Sequence, residues 1–202
     1  MGKVSFNITM SLDGYVAGPN DGPENGLGDG GESLHEWALE LASWREPHGL
    51  EGGETNASSE VMEEMGSASA VIVGKRMFDN AHGWGDEPPF HSPVFVLTHD
   101  AREPLTKGET TFTFVTDGID SAVEQATAAA GDGDVHIGGG ASTIQQALKA
   151  GLVNEAQLTV APLFLGGGVR LFENLGPEDA DFELVRVVEG PKATHLKYRV
   201  VR

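Results

Sequence analysis

The 202-residue sequence predicts an α/β fold on a mostly parallel sheet, and three observations predict it. Short runs rich in β-branched and aromatic residues recur along the chain. Stretches with helical apolar spacing fall between them. The last two runs flank Gly-Pro-Lys and read as an antiparallel C-terminal hairpin. Strands alternating with helices favour parallel pairing, because a helical crossover returns the chain in the same direction.

Taken in order, the strand signals are residues 4–10, 70–74, 94–98, 111–116, 134–138 and 155–163, then 181–189 and 193–201 of the hairpin, about eight in all. Ser33 caps a helix whose Leu34, Trp37, Ala38 and Leu41 share a face. Ser58 or Ser59 opens a shorter helix that ends at Gly66. Residues 117–131 place Ile119, Ala122, Val123 and Ala126 together, and Ser142 opens the last helix. Two stretches lack periodicity, 18–32 and 79–93, both rich in Gly, Pro and acids. Loops this long in a compact domain are functional lids or disordered, so these are expected to border a pocket and to move most. A single domain over 1–202 is expected, with no repeat or linker.

Composition narrows the function classes. With 13 basic and 31 acidic side chains the net charge is −18, a surface that repels phosphate backbones, so no nucleic-acid partner is expected. Absence of cysteine excludes disulfides and thiolate chemistry. No apolar run has the length of a membrane span, and the first residues lack the basic-then-apolar order of a secretory signal, so a cytoplasmic protein with no membrane partner is expected. The seven histidines show no metal spacing such as H-x-x-x-H, and no metal is expected.

Three motifs carry candidate chemistry. In VHIGGGAST (135–143) a strand turns through three glycines into a helix, which aims free backbone N–H groups and the positive helix end at whatever lies above. The spacing is not G-x-G-x-x-G, so the standard dinucleotide fingerprint is absent. In AVIVGKRMFD (70–79) a buried strand ends at Gly74 and meets Lys75 and Arg76, two cations in a chain with few, at the strand end where α/β ligands bind. In NITMSLDGYVAG (7–18) the first strand runs into an Asp13-Gly14 turn, and Asp13 reads first as a turn residue.

Together these motifs resemble the dihydrofolate reductase fold, and specifically the reductase domain of the riboflavin-biosynthesis deaminase-reductase. VFVLTHDA (94–101) resembles the strand that meets the adenosine 2′-phosphate, and VAPLFLGGGVRLFENL (160–175) a segment of the riboflavin branch. The resemblance covers nearly the whole chain in order. It implies a three-layer α/β/α domain that binds NADPH, acts on a small-molecule substrate and forms a homodimer. The implied function is hydride transfer to a small heterocycle, most like 5-amino-6-(5-phosphoribosylamino)uracil reductase. A pteridine or dihydrofolate reductase, or a catalytically weak nucleotide-binding protein of the same fold, is the alternative.

Carried over by motif, the implied cofactor residues are Thr9, Val16 and Ala17 around the nicotinamide, then Gly74, Lys75, Arg76 and Met77 at the phosphates. Leu97, Thr98 and His99 fall at the adenosine end, and Ile137, Gly138, Gly139, Gly140, Ala141, Ser142 and Thr143 at the pyrophosphate. The resemblance also implies a cis bond at Gly138–Gly139. Trp37 and Thr159 are the implied substrate contacts. The candidate catalytic carboxylates are Glu36 and Asp13, although helical spacing puts Glu36 and Glu40 away from the apolar face of their helix. Without a zinc-signature deaminase segment ahead of it, the chain is expected to carry the reductase step alone. The protein's task would then be to position the reactants and exclude water, with loop 18–32 as a lid.

Overall fold

The computed structural model describes residues 2–201, leaving Met1 and Arg202 of the expected domain outside. The chain begins with β1 (Val4–Ser11) and a short β2 (Tyr15–Ala17). A 3-10 turn (Gly31–His35) leads to α1 (Glu36–Leu39), α2 (Ala42–Arg45) and α3 (Ser58–Met65). Then come β3 (Ala70–Gly74), α4 (Lys75–Asn80), β4 (Val94–Leu97), β5 (Leu105–Lys107), β6 (Thr110–Val115) and α5 (Ile119–Ala130). β7 (Val135–Gly139), α6 (Ala141–Ala150), β8 (Glu155–Ala161), β9 (Val169–Arg170), β10 (Asp181–Glu189) and β11 (Thr194–Val201) complete the chain.

One nine-stranded sheet runs β10-β11-β8-β1-β7-β3-β4-β6-β5. β8, β1, β7, β3, β4 and β6 pair in parallel, so their carboxyl ends share one edge. β11 joins β8 antiparallel and closes the expected hairpin with β10. All eight expected strands lie in this sheet. The ninth, β5, is Leu-Thr-Lys with one apolar residue and leans antiparallel on β6, too short and polar to carry an alternation signal. β2 and β9 form a separate two-stranded ribbon.

The centre of the sheet is buried on both faces, which is why β3 reads as a continuous apolar run. Ala70 and Ile72 face the larger core, with Phe6 and Ile137 beneath Ala122, Ala126, Ile144 and Ala147 of α5 and α6. Val71 and Val73 face Val94, Val96, Phe78 and Phe112 on the other side. Each large side chain fully buried here contributes about 1.5–3 kcal/mol.

Local structure departs from expectation in the first helical segment. Leu34, Trp37, Ala38 and Leu41 are buried as their spacing predicts, but no single helix carries them. Leu41 is extended (φ −76°, ψ 137°), because the backbone of Glu54 bonds to Glu40 and Ala42 and pulls the chain out of helix there. Ser33 is no cap: it lies inside the 3-10 turn, whose N-cap is Gly30 at φ 74°. Ser58 and Ser59 lie within α3, and Asn56 takes the capping part by accepting the Ser58 N–H at 2.8 Å. α4 has no counterpart in the sequence reading; it is six residues long with only Phe78 buried, too short for a periodic signal.

His195 on β11 is fully buried and ties three elements together. Its Nδ1 bonds Thr159 Oγ1 of β8 at 2.8 Å and its Nε2 bonds Ser58 Oγ of α3 at 2.9 Å. Trp37 lies edge-on to the ring at 4.8 Å. Burial, with the Arg186 charge adding to it, pushes the His195 pKa down to about 4. Burial likewise lowers His136 on β7 to about 4. A histidine whose folded pKa lies below its unfolded value contributes fully above about 6.5 and loses that contribution as pH falls toward 4. Urea unfolding at steps from pH 7 to 4 is therefore expected to show stability falling with a slope approaching about two protons. A flat profile over that range would contradict the neutral buried histidines.

Candidate active site

At the shared carboxyl edge of β1, β7, β3 and β4 lies a cavity of about 790 Å³. Its wall is made where β3 passes into α4 and β7 passes into α6. These two crossovers approach so closely that side chains are excluded. A Cβ on Gly74 would fall 2.6 Å from Thr143 Oγ1, and Gly139 sits at φ +132°, where a Cβ would meet Met77 Sδ at 3.1 Å. Gly140 differs: a Cβ there would have nothing within 4 Å, although the residue lines the cavity. Gly140 is also the N-cap of α6 and offers no side chain to the first-turn N–H groups. The open space beside it is therefore a place where backbone donors and a positive helix end are available to a ligand.

The cis bond is Gly139–Gly140, not the expected Gly138–Gly139. β7 runs one residue further than predicted. It crosses a bulge at Gly138 and still pairs Gly139 with Val73, so the turn begins one residue later.

Most of the motif residues line this cavity: Thr9, Val16 and Ala17, Gly74 to Met77, Leu97 to His99, and Gly138 to Thr143. Ile137 does not; it is fully buried in the α5–α6 core. Loop 18–32 contributes Asp21, Gly26 and Leu27 to the lining, and loop 79–93 contributes Asn80, Ala81 and Trp84. The lining also holds Ile8, His35, Asp100, Thr116, Gly118, Gln146 and Val169, none of which the motifs had marked as a site residue.

Both cations of the cavity have carboxylate partners. Lys75 bonds Asp79 one turn on in α4 and lies 3.6 Å from Asp100; the Asp79 bond, opposed by partial burial, raises its pKa. Arg76 Nη2 donates to Asp21 Oδ1 at 2.5 Å and to the Asp21 carbonyl at 3.1 Å. Three further bonds hold this loop: Asn80 Nδ2 at the end of α4 donates to Asp21 Oδ2 at 3.3 Å and to the Gly26 carbonyl at 3.2 Å, and His82 Nε2, just beyond α4, bonds the Pro23 carbonyl at 2.9 Å. Arg76 nonetheless keeps 67% of its side chain exposed.

The four side chains expected at the chemistry itself do not line the cavity. Trp37 is buried beside Ala38 and Leu41, and its Nε1 donates to Thr9 Oγ1 at 3.1 Å, so it backs the wall and offers no stacking face. Thr159 is fully buried against His195. Glu36 is exposed on α1. The Asp13 carboxylate accepts from Ser11 Oγ at 2.6 Å, Leu165 N at 3.1 Å and Gly166 N at 2.7 Å. The Ser11 bond first and then those backbone bonds, opposed by desolvation, lower its pKa to about 2. Asp13 thus anchors the 163–166 loop to the end of β1, a role built from contacts 152 residues away that no local pattern announces.

The chain matches the model of the RibD C-terminal domain over residues 2–196. It belongs to that family. No curated protein matches the sequence. Among solved structures, a protein from Shewanella sp. PV-4 assigned to riboflavin biosynthesis superposes with a TM-score of 0.67 at 23% identity, covering 100% of each chain. The dihydrofolate reductase of Enterococcus faecalis, complexed with NADP(H), gives 0.60 at 12% identity over 100% of this chain and 98% of its own. The deaminase/5-amino-6-(5-phosphoribosylamino)uracil reductase of Thermotoga maritima gives 0.59 at 15% identity. There the chain is 99% covered and spans 57% of the larger protein. At these identities the structures establish the dihydrofolate reductase-like fold.

Proposed function

We propose that this RibD-family domain is an NADPH-dependent reductase that delivers hydride to a small heterocycle, most like 5-amino-6-(5-phosphoribosylamino)uracil reductase of riboflavin biosynthesis. The observation that carries the reading is the open cradle at Gly140. It lies at the start of α6, beside the β3–α4 crossover that carries Lys75 and Arg76 of a chain otherwise strongly acidic. Backbone N–H groups of the 138–143 turn would hold a pyrophosphate. Arg76 would read a 2′-phosphate, exchanging its bond to the Asp21 carboxylate for a dianion that a guanidinium grips in two places. Thr9, Val16 and Ala17 would wall the nicotinamide. When bound, the cofactor supplies the hydride; the chain's own part is to orient both reactants and exclude water.

The carboxylates in the lining speak against a folate-type site. Asp21 and Asp100 pair with Arg76 and Lys75, and neither Glu36 nor Asp13 reaches the cavity.

Calorimetric titration tests the cofactor assignment. The parent is expected to bind NADPH more tightly than NADH. Arg76→Ala should lose about tenfold in NADPH affinity and leave NADH nearly unchanged. Equal loss for both cofactors would remove Arg76 from the 2′-phosphate.

The cradle has its own test. Gly140→Ala is expected to keep the fold and lower NADPH affinity by about tenfold or more, since its Cβ occupies the space the ligand needs. Gly131→Ala is the control. It lies at φ +62° with open space beyond the end of α5, so it should cost about 1 kcal/mol of stability and leave binding alone. A Gly140→Ala protein that binds NADPH like the parent would contradict the reading.

A further inference from the structure

His35 ends the 3-10 turn that packs on β1 and β2, and it lines the cavity, as do Ile8 and Thr9 of β1, Val16 and Ala17 of β2 and Val169 of β9. Those five lining residues bring no titratable group. The Thr9 hydroxyl accepts from Trp37 and keeps its own O–H to donate. The charged members of the lining sit elsewhere, after β3 and β4 and on loop 18–32. His35 is thus the titratable side chain among the lining residues of β1, β2, β9 and the 3-10 turn.

Its Nδ1 is sealed from solvent and has no hydrogen-bond partner. Among the described residues, nothing bonds its Nε2 either, and Nε2 is not sealed. Burial holds the ring below the usual histidine pKa, so the imidazole is neutral at pH 7. A neutral ring carries one proton. A stranded buried N–H is rarer than a bare acceptor, so the proton belongs on Nε2, the nitrogen with access to the cavity. The cavity wall therefore presents uncharged donors, His35 Nε2 and the Thr9 hydroxyl, and no carboxylate on this side.

We propose that His35 donates a hydrogen bond from Nε2 to a ring carbonyl of the bound heterocycle, and so selects a pyrimidinedione over a ring with an amidine edge. The assignment rests on the reductase reading above. An amidine edge protonated at its ring nitrogen presents only N–H donors and calls for a carboxylate; set against His35 it leaves two donors facing each other without an acceptor. Sites built around one hydrogen bond reject such mismatches strongly, because buried polar groups are left unpaired.

The test uses the protein saturated with NADP+ and two probes, 5,6-diaminouracil and 2,4-diaminopyrimidine, titrated calorimetrically. The parent is expected to prefer diaminouracil by about tenfold or more. His35→Leu should erase that preference, hold NADP+ affinity within about twofold and keep or raise the thermal midpoint, because it removes a buried nitrogen that had no partner. His35→Gln, which keeps a donor, should retain part of the preference. Imidazole 15N NMR of the parent should show Nδ1 unprotonated, with the Nε2 signal moving on addition of diaminouracil. A His35→Leu protein with the parental preference, or a protonated Nδ1, overturns the proposal. A parent that binds NADP+ but prefers neither ring overturns the His35 assignment alone; one that binds neither NADP+ nor the rings overturns the reductase reading with it.

Discussion

The close approach of two strand-to-helix crossovers governs this molecule. β3 and β7 are parallel neighbours, and the chain leaves both at the same edge. A Cβ on Gly74 would collide with Thr143, and Gly139 adopts a backbone conformation that suits glycine alone. Without side chains there, the start of α6 lies against the end of β3, and the cavity opens beside Gly140. The apolar layers above and below hold both crossovers in place. Ile144 and Ala147 seat α6 on the sheet, and Phe78 seats α4 against Val96 and Phe112.

Electrostatics add a second constraint. In a chain of net charge −18, Lys75 and Arg76 are not free cations but ends of ion pairs. The Arg76 partner comes from loop 18–32, which lines the cavity and is tied down by Asn80 at the end of α4 and by His82 just beyond it as well. Any anion that takes the guanidinium must share it with Asp21 or displace it. Anion binding at Arg76 and the seating of this loop would thereby be linked through one side chain.

Much of the sheet was legible in the sequence, because buried parallel strands need continuous β-branched runs and the hairpin alternates around Gly-Pro-Lys. The glycine turn and the basic pair were legible as chemistry for the same reason: both are local patterns that mean something at a strand end. What escaped was short or long-range. α4 and β5 are too brief for periodicity, and the break at Leu41 is imposed by Glu54 across a loop. Trp37, Thr159 and Asp13 fit a motif by position, yet their bonds to Thr9, His195 and the 165–166 backbone turn them to structural ends. His35 stood next to the carboxylate that motif logic favoured, and only the packing of the 3-10 turn shows which of the two meets the cavity.

Amide hydrogen exchange with and without NADPH measures the central claim most directly. If the β3–α4 and β7–α6 crossovers form the dinucleotide site, exchange slows at residues 74–77 and 138–143 when NADPH is added, and at loop 18–32 as it reseats. The β10–β11 hairpin, at the far side of the sheet, keeps its parental rates. Unchanged exchange at both crossovers, with NADPH present in excess, would contradict the account.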